Sequence, residues 1–165
     1  MSWCDRRRVL LGLAALAGCG FTPAYGPGGG AAALAGRIAT AEPTDKRSFD
    51  LVSRLEERLG RPRAPLFRLD YTIRTAPLGV GISPEGAVTR YTLTGSADWR
   101  LVEADTGVER LSGRAESFTS YSTTGSTVAG QAAEDDAGLR LMRILADQIV
   151  TRLIAEAPRL TRAVP

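Results

Sequence analysis

Residues 88–121 read VTRYTLTGSADWRLVEADTGVERLSGRAESFTSY, and their alternation sets the architecture. Between Val88 and Glu103, side chains on a pleated strand point to alternate faces, so Tyr91, Leu93, Ala97, Trp99 and Leu101 share one side. Arg90, Thr92, Thr94, Ser96, Asp98 and Arg100 share the other. Ala104-Asp105-Thr106-Gly107 supplies a turn, with Gly107 free to take positive φ. Val108 to Tyr121 then returns antiparallel. A register in which paired residue numbers sum to about 212 sets Asp98 opposite Arg114 and Trp99 over Gly113. A hairpin with one apolar face needs an apolar cover, and the rest of the chain supplies it.

Upstream, Leu66 to Thr75 alternates in the same way. Phe67, Leu69, Tyr71 and Ile73 lie on one side, and Arg68, Asp70, Thr72 and Arg74 on the other. Pro77 to Pro84 holds several Gly and Pro breaks and reads as a loop or a broken connection. Before this strand, Phe49, Val52, Leu55 and Leu59 recur at helical spacing, predicting a helix over roughly Asp45 to Leu59 that ends at Gly60 and Pro62. A short strand is expected around Gly36 to Thr40. Downstream, Thr123-Thr124-Gly125 breaks the hairpin and Ser126 is a candidate N-cap. A final helix is expected from Thr127 to Ala155, with a stripe of Leu139, Met142, Leu145, Ile149 and Leu153, stopped by Pro158. The order β-α-β-β-β-α predicts an α+β fold, with two helices packed on one face of a mostly antiparallel four-stranded sheet. The opposite face is then polar and open.

The N-terminus reads as an export signal. Arg6-Arg7-Arg8 forms a charged segment, and the apolar run Val9 to Ala17 is about half of the ~20 residues that span a bilayer as a helix. Leu16-Ala17-Gly18-Cys19 resembles the bacterial lipobox, which implies alkylation of the Cys19 sulfur with diacylglycerol, cleavage before Cys19 and acylation of the new amine, palmitate included. Several acyl chains hold where one is marginal. Arg6 to Leu10 leaves open a twin-arginine route. The expected division is a signal peptide over 1–18, a lipidated flexible tether over 19–33, one domain over 34–157 and a C-terminal tail over 158–165. Gly20 after the cysteine favours the outer membrane, by resemblance to enterobacterial sorting.

Charge and residue types narrow the function. Residues 1–18 hold three of the 21 basic and one of the 18 acidic side chains, so cleavage takes the formal charge from +3 to +1. A global basic field for nucleic acid is lost with them. The chain has no His, which excludes a Ser-His-Asp triad, a Cys-His pair and a His-ligated zinc site. Neither a metal nor another cofactor is expected. Asp105-Thr106-Gly107 matches the aspartic-protease triplet, but a flexible exposed turn would not raise an Asp pKa, and a hairpin turn accounts for the same residues. On the open face, Arg68, Arg74, Arg90, Arg100, Arg110 and Arg114 collect around Asp70, Asp98 and Glu116. Guanidinium forks match phosphate or carboxylate, yet solvated sheet faces also carry such charges, and both readings stand on the residues alone.

Four stretches carry a family resemblance: Cys19-Gly20-Phe21-Thr22-Pro23-Ala24-Tyr25-Gly26, Ala97-Asp98-Trp99-Arg100-Leu101, Ser117-Phe118-Thr119-Ser120-Tyr121 and Leu141 through Ile149. Together, and in this order, they resemble the LPS-assembly lipoproteins LptE of alphaproteobacteria. The resemblance implies a non-enzymatic outer-membrane lipoprotein facing the periplasm or a barrel lumen. It would plug and assist assembly of the LptD β-barrel and help deliver lipopolysaccharide to the outer leaflet. Partners implied are an LptD-like barrel, lipopolysaccharide and, through the acyl group, the membrane. Arg90 and Arg100, then Arg74 and Arg114, are the candidate lipopolysaccharide-binding residues, and Cys19 is the lipid anchor. An accessory lipoprotein of another outer-membrane lipid-transport complex is the alternative.

Overall fold

The computed structural model describes Gly26, residues 29–84 and residues 86–162. The expected signal peptide and Cys19 lie outside the described residues. Among those described, three helices and four strands follow in the order α1 (Gly30–Leu34), β1 (Ile38–Thr40), α2 (Lys46–Leu59), β2 (Phe67–Ile82), β3 (Val88–Glu103), β4 (Glu109–Ser122) and α3 (Thr127–Arg162). The strands form one sheet in the order β1-β2-β3-β4. β1 runs parallel to β2, and the other pairs are antiparallel, so the sheet is mixed and mostly antiparallel. The β3–β4 register is the expected one over most of its length, with Asp98 opposite Arg114 and Trp99 opposite Gly113. Trp99 covers Gly113 so closely that a Cβ there would lie 2.9 Å from its ring.

The core lies between the sheet and the helices. Leu69, Leu93, Ala97 and Leu101 are fully buried, as are Leu51 and Leu55 of α2 and Leu141, Met142, Leu145, Ile149 and Leu153 of α3. α3 packs so near β3 that a Cβ on Gly95 would meet Leu141 at 2.7 Å. A glycine inside a strand often marks such an approach. Two stripe positions are corrected. Phe49 is 60% exposed, because α2 buries the arc through Ser48, Leu51, Val52, Leu55 and Leu59 and leaves Phe49 on its flank. Leu139 is only half-buried, and Leu141 fills the core instead.

Helix ends follow capping chemistry. The Asp45 carboxylate accepts the Ser48 N–H at 2.7 Å, and the Ser48 hydroxyl oxygen accepts the Asp45 N–H at 2.9 Å, a reciprocal capping box. The Ser126 hydroxyl accepts the Ala129 N–H at 3.3 Å. Arg54 of α2 grips Asp147 of α3 through two hydrogen bonds of 3.1 and 3.0 Å, joining the helices beside the core.

Two expected breaks are continuous structure. Pro77 to Pro84 is not a loop up to residue 82, because β2 runs on to Ile82 through register shifts around Gly79 and Gly81. Proline is tolerated where its missing N–H would face a free edge. The pairing puts Pro77 there. Glu116 of β4 turns its N–H and C=O outward to Gln148, so even-numbered β4 residues face away from β3 and even-numbered β3 residues bond toward β2. Odd-numbered β2 residues then face outward, as Leu69 does in accepting the Ala41 N–H. Likewise Pro158 does not stop α3, which continues to Arg162 because Ala157 and Leu160 extend its buried stripe. Pro158 cannot donate to the Ile154 carbonyl. That oxygen is met by α1, where a Cβ on Gly30 would lie 2.6 Å from it. α1 itself falls largely within the stretch expected to be tether, and Leu34 is fully buried.

Candidate functional site

The uncovered sheet face carries the even-numbered side chains of the long strands. Asp98, in the middle of β3, binds an arginine from each neighbouring strand: Arg74 of β2 at 2.7 Å and Arg114 of β4 at 3.5 Å. Arg114 also reaches Glu116 at 2.5 Å. Toward the β1 end, Asp70 lies between Arg68 at 3.0 Å and Arg100 at 3.2 Å. Burial pushes the Asp70 carboxyl up, but hydrogen bonds from Arg68 and Arg100 together outweigh it and hold it below the usual carboxylate range. The result is a lattice of forks and carboxylates spanning three strands.

Arg74 and Arg114 therefore share Asp98, Arg68 and Arg100 share Asp70, and the two groups border one groove. Arg90 belongs to neither. It lies ten positions along β3 from Arg100, roughly 33 Å at strand rise, so one anionic group cannot bridge them. Arg90 is exposed beside the Gly81 and Ser122 positions and has no ion pair among the described residues.

The face has an apolar half that the sequence reading missed. Leu78 is 61% and Phe118 67% exposed, and both occupy outward positions near Ala76, Thr92 and Thr94. Phe118 was open to discovery by extending the alternation from Arg114. Leu78 was hidden by the expected loop. A groove of 550 Å³ spans the boundary, lined by Arg74, Ala76, Thr94, Arg114 and Phe118 among others. A second, of 770 Å³, runs over Asp70, Asp98, Arg100 and Arg114. The face thus offers guanidinium donors next to hydroxyls and apolar side chains, which suits an amphiphile with anionic groups.

The other candidates resolve into structure. Asp105 to Gly107 forms the β3–β4 turn, with Gly107 at φ +70 and the Thr106 hydroxyl donating to Glu103 at 2.6 Å. Glu103 also accepts from Arg110. The single lysine, Lys46, is largely exposed and pairs with Asp50 at 3.6 Å. Among the described residues, no cluster of acidic, Cys or His side chains could hold a metal ion, and no helix is long and apolar enough to cross a membrane.

The model of the family described as LptE, Lipopolysaccharide-assembly, matches residues 35–153. That span covers β1 through most of α3, the sheet and its helical cover together. This chain belongs to the LptE family. Solved structures place its fold among lipoproteins. A putative lipoprotein from Caulobacter crescentus aligns with TM-score 0.68 and 23% identity, over 81% of this chain and 98% of that one. The rare lipoprotein B of Shewanella oneidensis aligns with TM-score 0.57 and 14% identity, over 75% and 96%. A minor lipoprotein of Acinetobacter baumannii gives 0.51 and 18%, over 72% and 89%. No curated protein matches the chain in sequence.

Proposed function

We propose that this LptE-family chain is an outer-membrane lipoprotein, anchored through acylated Cys19, that plugs an LptD-like barrel and passes lipopolysaccharide toward the outer leaflet. The uncovered face supports this reading most: it sets Arg74, Arg100 and Arg114 beside exposed Leu78 and Phe118. A plug needs a polar surface compatible with a wet lumen, and lipid A brings phosphates and acyl chains together. In this reading these three arginines take phosphate oxygens by charge-assisted forks, and the apolar half faces the acyl chains. Arg90, far from them, serves as a separate contact for the barrel or for a second anionic group. The role is binding and escort, with no bond made or broken.

Pull-down from solubilised outer membranes tests the partner, and a large β-barrel should co-purify. Arg90→Glu with Arg100→Glu should weaken both lipopolysaccharide binding and barrel association. If both stayed at wild-type level, the proposed face would be wrong. Recovery of an inner-membrane ABC complex in place of a barrel would instead favour a different lipid-transport role.

A further inference from the structure

A second cationic site lies at the end of the molecule where α1, β1 and the loop after α2 meet. Arg61-Pro62-Arg63-Ala64-Pro65 is exposed throughout, and its prolines fix φ at two positions. Backbone hydrogen bonds tie this region together: Gly36 N–H to the Leu59 carbonyl at 2.9 Å, Arg63 N–H to the Gly36 carbonyl at 3.0 Å, and Leu66 N–H to the Arg37 carbonyl at 2.8 Å. A groove of 500 Å³ lies at the joint, lined by Arg37, Arg63, Ala64, Leu66, Phe67 and Thr161 together with Ala35 and Gly36. Neither Arg37 nor Arg63 has an ion pair or a side-chain hydrogen bond among the described residues. This contrasts with the open face, where Arg68, Arg74, Arg100 and Arg114 each hold a carboxylate.

We infer that this groove binds the phosphate head group of an anionic glycerophospholipid in the membrane to which the chain is anchored. Two uncommitted guanidinium groups match phosphate oxygens, and the apolar lining suits the glycerol and first methylenes of such a lipid. Position supports the same occupant. Ala35 and Gly36 line the groove directly after α1, and only residues 20–29 separate Cys19 from α1. That link spans at most about 40 Å even fully extended. The groove is therefore carried on the part of the domain nearest the anchor along the chain. The placement rests on the lipid-anchor reading above, whereas the binding chemistry does not.

The test uses the chain from residue 19, which contains every described residue, with Cys19→Ser so that no acyl group contributes. Flotation with phosphatidylcholine vesicles, with and without phosphatidylglycerol, reads the binding. Binding should require phosphatidylglycerol and fall as salt rises. Arg37→Glu with Arg63→Glu should weaken it at least about tenfold. Arg37→Gln with Arg63→Gln, which carries less risk to folding, should weaken it in the same direction. Arg143→Glu, on the exposed side of α3, should leave it unchanged. Equal flotation with both vesicles, or equal loss from Arg143→Glu, would overturn the inference. Displacement by inorganic phosphate at matched ionic strength would do so too, since it would mean a free-anion site. None of these readouts involves a barrel, so failure of the pull-down and failure of this site are told apart.

Discussion

Asp98 is the residue through which the open face can be tuned. It holds Arg74 and Arg114 in place, yet its charge opposes any phosphate that arrives between them. Asp98→Asn keeps the shape and removes that opposition. Titration with lipopolysaccharide should show several-fold tighter binding, and an unchanged affinity would argue against phosphate contact at this pair. Other carboxylates respond to acid. Hydrogen bonds from Ser48, its backbone N–H first, hold Asp45 below its usual value. The Thr106 hydroxyl and then Arg110 do the same for Glu103, and Arg68 with Arg100 for Asp70 against its burial. Each is lower in the folded than in the unfolded chain, so its stabilisation is present above the unfolded pKa and is lost as pH falls through the folded one. The melting temperature should be level near neutrality and decline below about pH 4. A decline beginning near pH 6 would point to other groups.

At the scale of elements, the β3–β4 hairpin was legible because strict alternation and one turn glycine fix both faces and the register. The element ends were less so, because proline acts through its surroundings as well as its own backbone. Pro77 lies where no partner awaits its nitrogen, and Pro158 lies where α1 closes over the carbonyl that proline cannot serve. Neither circumstance is local in sequence. Gly30 makes the second possible, since any side chain there runs into the Ile154 oxygen. Gly30→Val should cost about 1–3 kcal/mol by overpacking, read by chemical denaturation. If stability were unaffected, α1 would not be docked as described. The same variant is expected to loosen the link between anchor and domain while sparing the sheet.

Across the whole molecule, the architecture and the arginine-rich face followed from pattern, but the grouping of the candidate residues did not. Strand rise separates Arg90 from Arg100, and pairing across three strands unites Arg74 with Arg114. Alternation assigns a face without saying which end of it a residue occupies relative to others on different strands. The two flanks of the sheet also differ in a way no single strand reveals. Gln148 and Arg140 of α3 occupy backbone groups of Glu116 and Ser120 on the β4 side. β1 pairs with only three residues of β2, and most of that strand's outward row is not paired by β1. Within that row Pro77 interrupts the donors. Pro77→Val would complete the row, and light scattering at raised concentration should then report self-association that the natural chain resists. If the Pro77→Val variant stayed monodisperse, the bulged glycines would be enough to protect this edge.

On this prediction a single tertiary-amide nitrogen, which carries no hydrogen, keeps copies of this chain from zipping together along this margin. For a protein proposed to end enclosed in a barrel, that matters before the barrel is met: the same margin would otherwise offer a template for fibrils while the chain waits for its partner.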